Sequence, residues 1–199
     1  MYKLVIKQFI LVAFIILAIL SIVFGSILPL IKSQSYISAL TDLQSAKIHS
    51  VDQFKQEFGA VLDFYSPIGQ EEVVKFLSEN IMEMMINEAQ QTGKLGPVAP
   101  ALVSFVEPYL FQNNVRHVLF AAEAYKILWE ASGSKDYFMK SQDYYQKAYA
   151  IGPKLPPVLY GMFNLYGLVG DKADAEKVGE IILQYWPDDK NVENIVKSL

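Results

Sequence analysis

The sequence predicts an all-α protein: one N-terminal transmembrane helix followed by an antiparallel helical domain with repeats at its C-terminus. Three observations point there. Phe9 to Ile31 runs for 23 residues without a charge, and at about 1.5 Å of rise per residue such a helix spans a hydrocarbon core of about 30 Å. The remaining sequence shows apolar residues at helical spacing and no sustained alternation of strand type. Ser141-x₃-Tyr145-x₂-Ala148-x₄-Pro153 is echoed by Ala175-x₃-Gly179-x₂-Ile182-x₄-Pro187, 34 residues later, and that is the period of a helix–turn–helix repeat.

The apolar run is read as a signal-anchor. A cleaved signal peptide is the competing reading, but its apolar region would be about 7–15 residues long and would end in a small-x-small cleavage site. Ser21-Ile22-Val23-Phe24-Gly25-Ser26 offers no convincing one. Lys3, Lys7 and the amino terminus precede the run and Lys32 follows it. This bias places residues 1–8 in the cytoplasm and everything from Ser33 outside.

Three of the 17 basic residues precede Ser33, which leaves 14 against all 21 acids and a balance of −7 for the exterior part. Such a domain is a poor partner for nucleic acid or anionic lipid. Arg116 is the sole arginine, so bidentate phosphate recognition is not expected. The absence of cysteine excludes disulfides, thiolate metal sites and cysteine nucleophiles. There is no Asn-x-Ser/Thr sequon, which favours a bacterial envelope protein over a glycosylated ectodomain.

The elements follow in order. A first soluble helix over about Ser35 to Lys47 carries Tyr36, Ile37, Leu40, Leu43 and Ala46 on one stripe. Ser50-Val-Asp-Gln53 reads as a capping box and opens a helix with Phe54, Phe58, Val61, Leu62 and Tyr65 at helical spacing. Ser66-Pro67-Ile-Gly69 breaks it. Gln70, Glu71 and Glu72 begin the next helix, where acids favour the positive end of the dipole, and Val73, Leu77, Ile81, Met84 and Met85 form its apolar face. Gly96-Pro97-x-x-Pro100 makes a loop, and Pro108 limits a short helix. Asn113 or Asn114 caps a long helix to about Ala131, which Gly133 ends. Helices then fall at about Asp136–Ile151, Pro157–Leu168, Asp171–Tyr185 and Lys190–Lys197, punctuated by Pro153, Pro156, Gly170 and Pro187. The chain thus divides into a membrane-proximal helical region over 33–112 and a repeat region over 113–199, its last helix a cap.

Pro156 to Pro187 resembles a tetratricopeptide repeat. Tyr166, Gly170-Asp171, Ala175 and Pro187 stand at the spacing of that family, while Phe163 replaces the usual small residue of the first helix. The unit before it, with Ser141, Tyr145, Ala148 and Pro153, matches only in its second helix. The resemblance implies a peptide-binding concave face formed by first helices. On that face Tyr160, Asn164 and Gly167 would line a groove, joined by Glu123 and Lys126 from the preceding unit. Tyr160 stands where some relatives place a carboxylate-clamping lysine, so an apolar or extended segment is the expected occupant. A further stretch, Phe54-Lys55-x-x-Phe58 with Ser66-Pro67-x-Gly69-x-Glu71, looks like the external tail of bacterial O-antigen ligase or polymerase-like membrane proteins.

No constellation of catalytic type stands out. His49 and His117 are 68 residues apart, without metal-ligand spacing, and are read as surface or helix-end residues. Glu71-Glu72 and Asp188-Asp189 sit at helix starts as caps. Met82, Met84 and Met85 are read as core filling. No Gly-x-Ser-x-Gly or phosphate-binding glycine loop is present. The expectation is therefore a non-enzymatic module without a cofactor, held in the bilayer by residues 9–31 and gripping another envelope or membrane protein. The alternative is an accessory tail of a glycan ligase system without its own catalytic site.

Overall fold

The computed structural model describes residues 2–199, with side chains from residue 6 onward. Among the described residues the regular structure is helical throughout, with no strand. Two compact units divide between Phe76 and Leu77, inside a helix, whereas the sequence reading divides the exterior part after residue 112.

In the first unit, α1 (Tyr2–Ile22) and α2 (Leu28–Gln44) are joined by a π-helical segment, Val23–Ile27, without a break in helical backbone. The anchor therefore runs straight into what the sequence suggested was a separate helix from Ser35. Pro29 explains the π segment. Its ring has no N–H and would crowd the carbonyl of Gly25, four residues back. The Leu28 N–H instead reaches the Val23 carbonyl, five residues back, the wide turn that proline induces. Ile6–Gln44 is long and apolar enough to cross a membrane, with a mean hydropathy of 3.0 over its best window. None of that window is buried within the protein, unlike the core helix of a water-soluble domain.

The other end of the rod packs through Lys32, Tyr36 and Ala39. Ile37 faces outward, and Ala46 lies past the helix end at φ 51°, so neither belongs to the expected buried stripe. The stripe meets α3 (Val51–Asp63), which buries Phe54, Phe58, Val61 and Leu62 at i, i+4, i+7 and i+8. Phe58 stacks on Phe54 and meets Tyr36 edge-on at 6.1 Å. Each such side chain contributes about 1.5–3 kcal/mol when fully buried. Tyr65 lies beyond the helix and is exposed, contrary to the sequence pattern. The cap of α3 forms as expected at Ser50, whose Oγ accepts from the Gln53 N–H at 3.1 Å. Gln53 returns the bond one residue earlier than in the ideal box, to the His49 N–H.

Lys32 is the unexpected member of this core. Its ammonium donates to the Phe64 carbonyl at 2.6 Å and more weakly to the Leu62 carbonyl at 3.5 Å. These are orphan acceptors at the end of α3, where the helix dipole is negative. A cation placed just beyond the apolar run thus holds the next helix onto the anchor.

The helix α4 (Gln70–Thr92) begins in the first unit and continues into the second. The second unit then contains α5 (Val98–Val106), a 3₁₀ turn at Glu107–Tyr109, and α6 (Val115–Ser132), α7 (Lys135–Ile151), α8 (Pro156–Val169), α9 (Lys172–Tyr185) and α10 (Lys190–Ser198). Asn114 is the cap of α6, its side chain accepting from the Arg116 N–H. Gly133 and Gly170 end α6 and α8 in the left-handed conformation that glycine adopts without strain. His117 lies in the first turn of α6 but is buried rather than on the surface, and its Nδ1 accepts from the Phe111 N–H.

The 34-residue echo extends to the backbone. α7 ends at Ile151 and α9 at Tyr185, while α8 starts at Pro156 and α10 at Lys190, so both intervals are 34. The loops between them share one conformation: φ −138°, ψ 69° at Gly152 and φ −129°, ψ 75° at Trp186. Each precedes a proline, which forbids the helical region to its neighbour. Gly152 and Trp186 donate back to Ala148 and Ile182, and Leu155 and Asp189 donate to Gly152 and Trp186. The paired positions Ser141/Ala175, Tyr145/Gly179 and Ala148/Ile182 are all buried. At the first crossing the tyrosine lies on α7 and its ring fills the space above Gly161 of α8. At the second crossing the glycine lies on α9 and receives Val196 of α10 and Phe163 of α8. Large and small residues have exchanged sides while the crossing has been kept.

Candidate functional site

An open groove of about 500 Å³ lies between α8 and α10. One wall is Tyr160, Phe163, Asn164, Gly167 and Leu168, which helical periodicity brings to one face of α8. The other wall is Asp189, Asn191, Val192, Ile195 and Leu199, and Ala175 of α9 contributes from below. Tyr160, Asn164 and Gly167 therefore come together as the sequence suggested. Phe163 is buried and Leu168 and Ile195 are exposed, so the groove is apolar with a few polar groups, the composition of ligand-binding clefts in general.

Its polar end is built by Tyr160 and Asp189. The Tyr160 hydroxyl donates to Asp189 Oδ2 at 2.6 Å, while Asp189 Oδ1 caps α10 by accepting from the Asn191 and Val192 N–H groups at 3.1 Å. The bond to Asp189 pushes the Tyr160 phenol up to about 12. The same bond, with the cap, holds the Asp189 carboxyl below its ordinary value. Lys190 and Lys197 flank Glu193 on α10 at 2.8 and 2.5 Å and lower its carboxyl to about 2. These exposed bonds set geometry and charge more than stability.

Glu123 and Lys126 do not line this groove. Glu123 accepts a short bond from the Tyr145 hydroxyl and pairs with Lys126 at 2.7 Å. Both partners are engaged internally, supporting the tyrosine that packs over Gly161. Conversely, the groove wall on α10 was not foreseen. Its signal was present in the spacing of Val192, Ile195, Val196 and Leu199, a stripe read only as that of a cap.

A second polar cluster escaped the sequence altogether. Glu107, in the 3₁₀ turn, accepts from the Tyr125 hydroxyl at 2.5 Å and the Tyr144 hydroxyl at 2.8 Å. The Lys140 ammonium reaches both its oxygens, at 3.1 and 3.3 Å, and the Tyr125 oxygen at 2.8 Å. Tyr125 stacks on Tyr144 at 6.0 Å, and Lys140 lies 4.5 Å from the centre of the Tyr125 ring. Burial pushes the Glu107 carboxyl up, but the three donors outweigh it and hold it below the usual range. Burial and Glu107 together push both phenols up. A saturated carboxylate facing two firmly protonated phenols is not poised to exchange protons at neutral pH. The cluster cross-links α6 and α7 to the turn after α5.

No family model, curated protein or solved structure matches the chain.

Proposed function

We propose that the chain is a membrane-anchored binding module that holds an extended, largely apolar segment of another envelope or membrane protein in the α8/α10 groove, without catalysing a reaction of its own. The reading places the anchor in a bacterial cytoplasmic membrane, with the N-terminus inside and the helical domain outside. The observation that supports it best is the coincidence of the groove with the first helices of two successive 34-residue units. That is the place where a tetratricopeptide-like array would receive a peptide. Tyr160, Asn164, Asp189 and Asn191 supply donors and acceptors for a backbone, and Phe163, Leu168, Val192 and Ile195 supply the apolar floor and rim.

Site-specific photocrosslinking in native membranes tests this. A crosslinker at Asn164 and one at Ile195 should yield the same discrete adduct, which Tyr160→Ala weakens and which a crosslinker at Lys177 on α9 does not give. Adducts that are absent, or equally strong from all three positions, would remove the groove as the binding site.

A further inference from the structure

A second groove, of about 510 Å³, lies in the first unit. It is formed where the rod passes the start of α4, with Pro29, Tyr36 and Ile37 on one side and Ile68, Val73 and Phe76 on the other. Ile37 is 60% exposed, Ile68 57% and Phe76 44%, so these apolar side chains are not covered by the protein itself. Contiguous exposed apolar surface marks a contact with something apolar.

The position of the groove says what that is. Pro29 belongs to the uncharged run that ends at Ile31, and Ile37 lies eight residues further along the same continuous helix. Eight residues advance about 12 Å along the axis, whereas the interfacial layer beyond the hydrocarbon is about 5–8 Å thick on each side. The groove therefore starts at the hydrocarbon edge and passes through the headgroup layer. We infer that it takes an acyl chain of a bilayer phospholipid, so that Ile68 and Phe76 rest in the membrane interface beside the anchor.

Charge argues for the acyl chain rather than for headgroup attraction. From Ser33 to Phe76 there are six acids, Asp42, Asp52, Glu57, Asp63, Glu71 and Glu72, against three lysines, Lys47, Lys55 and Lys75. An acidic surface does not gather anionic lipid. Contact through apolar side chains with a zwitterionic bilayer is unaffected by that charge. The inference depends on Ile6–Gln44 crossing a bilayer and is independent of the α8/α10 groove.

The chain has no cysteine, so single cysteines introduced into the full chain can carry a nitroxide label without background. Labels at Ile68→Cys, Phe76→Cys, Leu17→Cys and Glu57→Cys are compared in phosphatidylcholine vesicles, by relaxation with oxygen, which partitions into lipid, and with a water-soluble nickel chelate. The oxygen-to-nickel ratio at positions 68 and 76 should lie several-fold above that at 57 and below that at 17. Ser33→Trp, which fills the groove, should lower the ratio at 68 and leave that at 17 unchanged. If 68 and 76 match 57 while 17 reads as hydrocarbon, the anchor stands and the inference fails. If 17 also reads as water, both fail. Labels at 68 shielded from both reagents and broadened by mutual spin coupling would show a second copy in the groove, and that too overturns it.

Discussion

The Tyr160 hydroxyl and the Asp189 carboxylate meet at 2.6 Å across the mouth of the α8/α10 groove, and Asp189 is also the cap of α10. One hydrogen bond thus links the first turn of α8 to the helix that forms the opposite wall. Tyr160→Phe removes the link and spares the ring. The Asp189 pKa is depressed in the folded state, so its contribution is present above the ordinary carboxylate range and is lost as pH falls through the folded value. The Tyr160 pKa is raised to about 12, so its contribution is present below the ordinary phenol value of about 10 and is lost between there and 12. The melting temperature of Tyr160→Phe should fall below that of the parent from pH 6 to pH 9, and the two should converge at both extremes. A gap that does not vary with pH would mean that the bond is not formed.

Three helical glycines give a graded test of the packing. A Cβ at Gly161 would lie 2.4 Å from Tyr145 Cε1, and Tyr145 is buried and bonded to Glu123, so the ring cannot withdraw. Gly161→Ala should cost about 1–3 kcal/mol by overpacking. At Gly179 the obstacle is Val196 on the final helix, so Gly179→Ala should loosen α10 and speed exchange of its amides. Gly167 has open space around it, so Gly167→Ala should stabilise α8 by up to about 1 kcal/mol through helix propensity. Chemical denaturation and amide exchange separate the three.

Glu107 should matter to stability and not to binding. Glu107→Gln weakens charge-assisted bonds from Tyr125, Tyr144 and Lys140, at a cost of about 1–3 kcal/mol. Because the folded-state carboxyl is depressed, the loss should be seen at neutral pH and shrink as pH falls below the ordinary glutamate value of about 4.3. A double-mutant cycle with Tyr144→Phe should show coupling between the two sites. Strict additivity in urea denaturation would contradict the cluster.

Lys32→Met keeps the length and apolar stem of the side chain but removes the donor to the Phe64 and Leu62 carbonyls. Amide exchange should accelerate at the end of α3 and through Phe64–Gly69, with little change in α6–α9. Unchanged protection there would show that apolar contacts alone hold α3 to the rod.

Much of the helix order was legible because its punctuation is local. The Ser50 and Asn114 caps, the Gly133 and Gly170 stops and the prolines at 153 and 187 each act on neighbouring backbone. Tyr160, Asn164 and Gly167 could be grouped because a single helix spaces them. What was not legible depends on distance in the chain. Glu107 lies 18 residues from Tyr125 and 37 from Tyr144, and no periodicity links such partners. Glu123 was placed in the groove by analogy with a first helix, but the Tyr145 hydroxyl and Lys126 engage it instead. The continuity of α1 and α2 was hidden because Pro29 reads as a breaker, whereas a wide turn absorbs it.

That wide turn has a mechanical consequence. A π segment accommodates one residue more than the α-helix would in the same rise, and each α-helical residue turns the chain by about 100°. The azimuth of Lys32 and Tyr36, and with it the side on which α3 is mounted, is therefore offset from the faces of α1 below. Removing Gly25 would restore unbroken α-helical winding and swing the α3 seat about 100° around the rod. The π segment between Val23 and Ile27 works as a fixed rotary coupling that sets which compass direction the first unit faces above the plane crossed by its anchor.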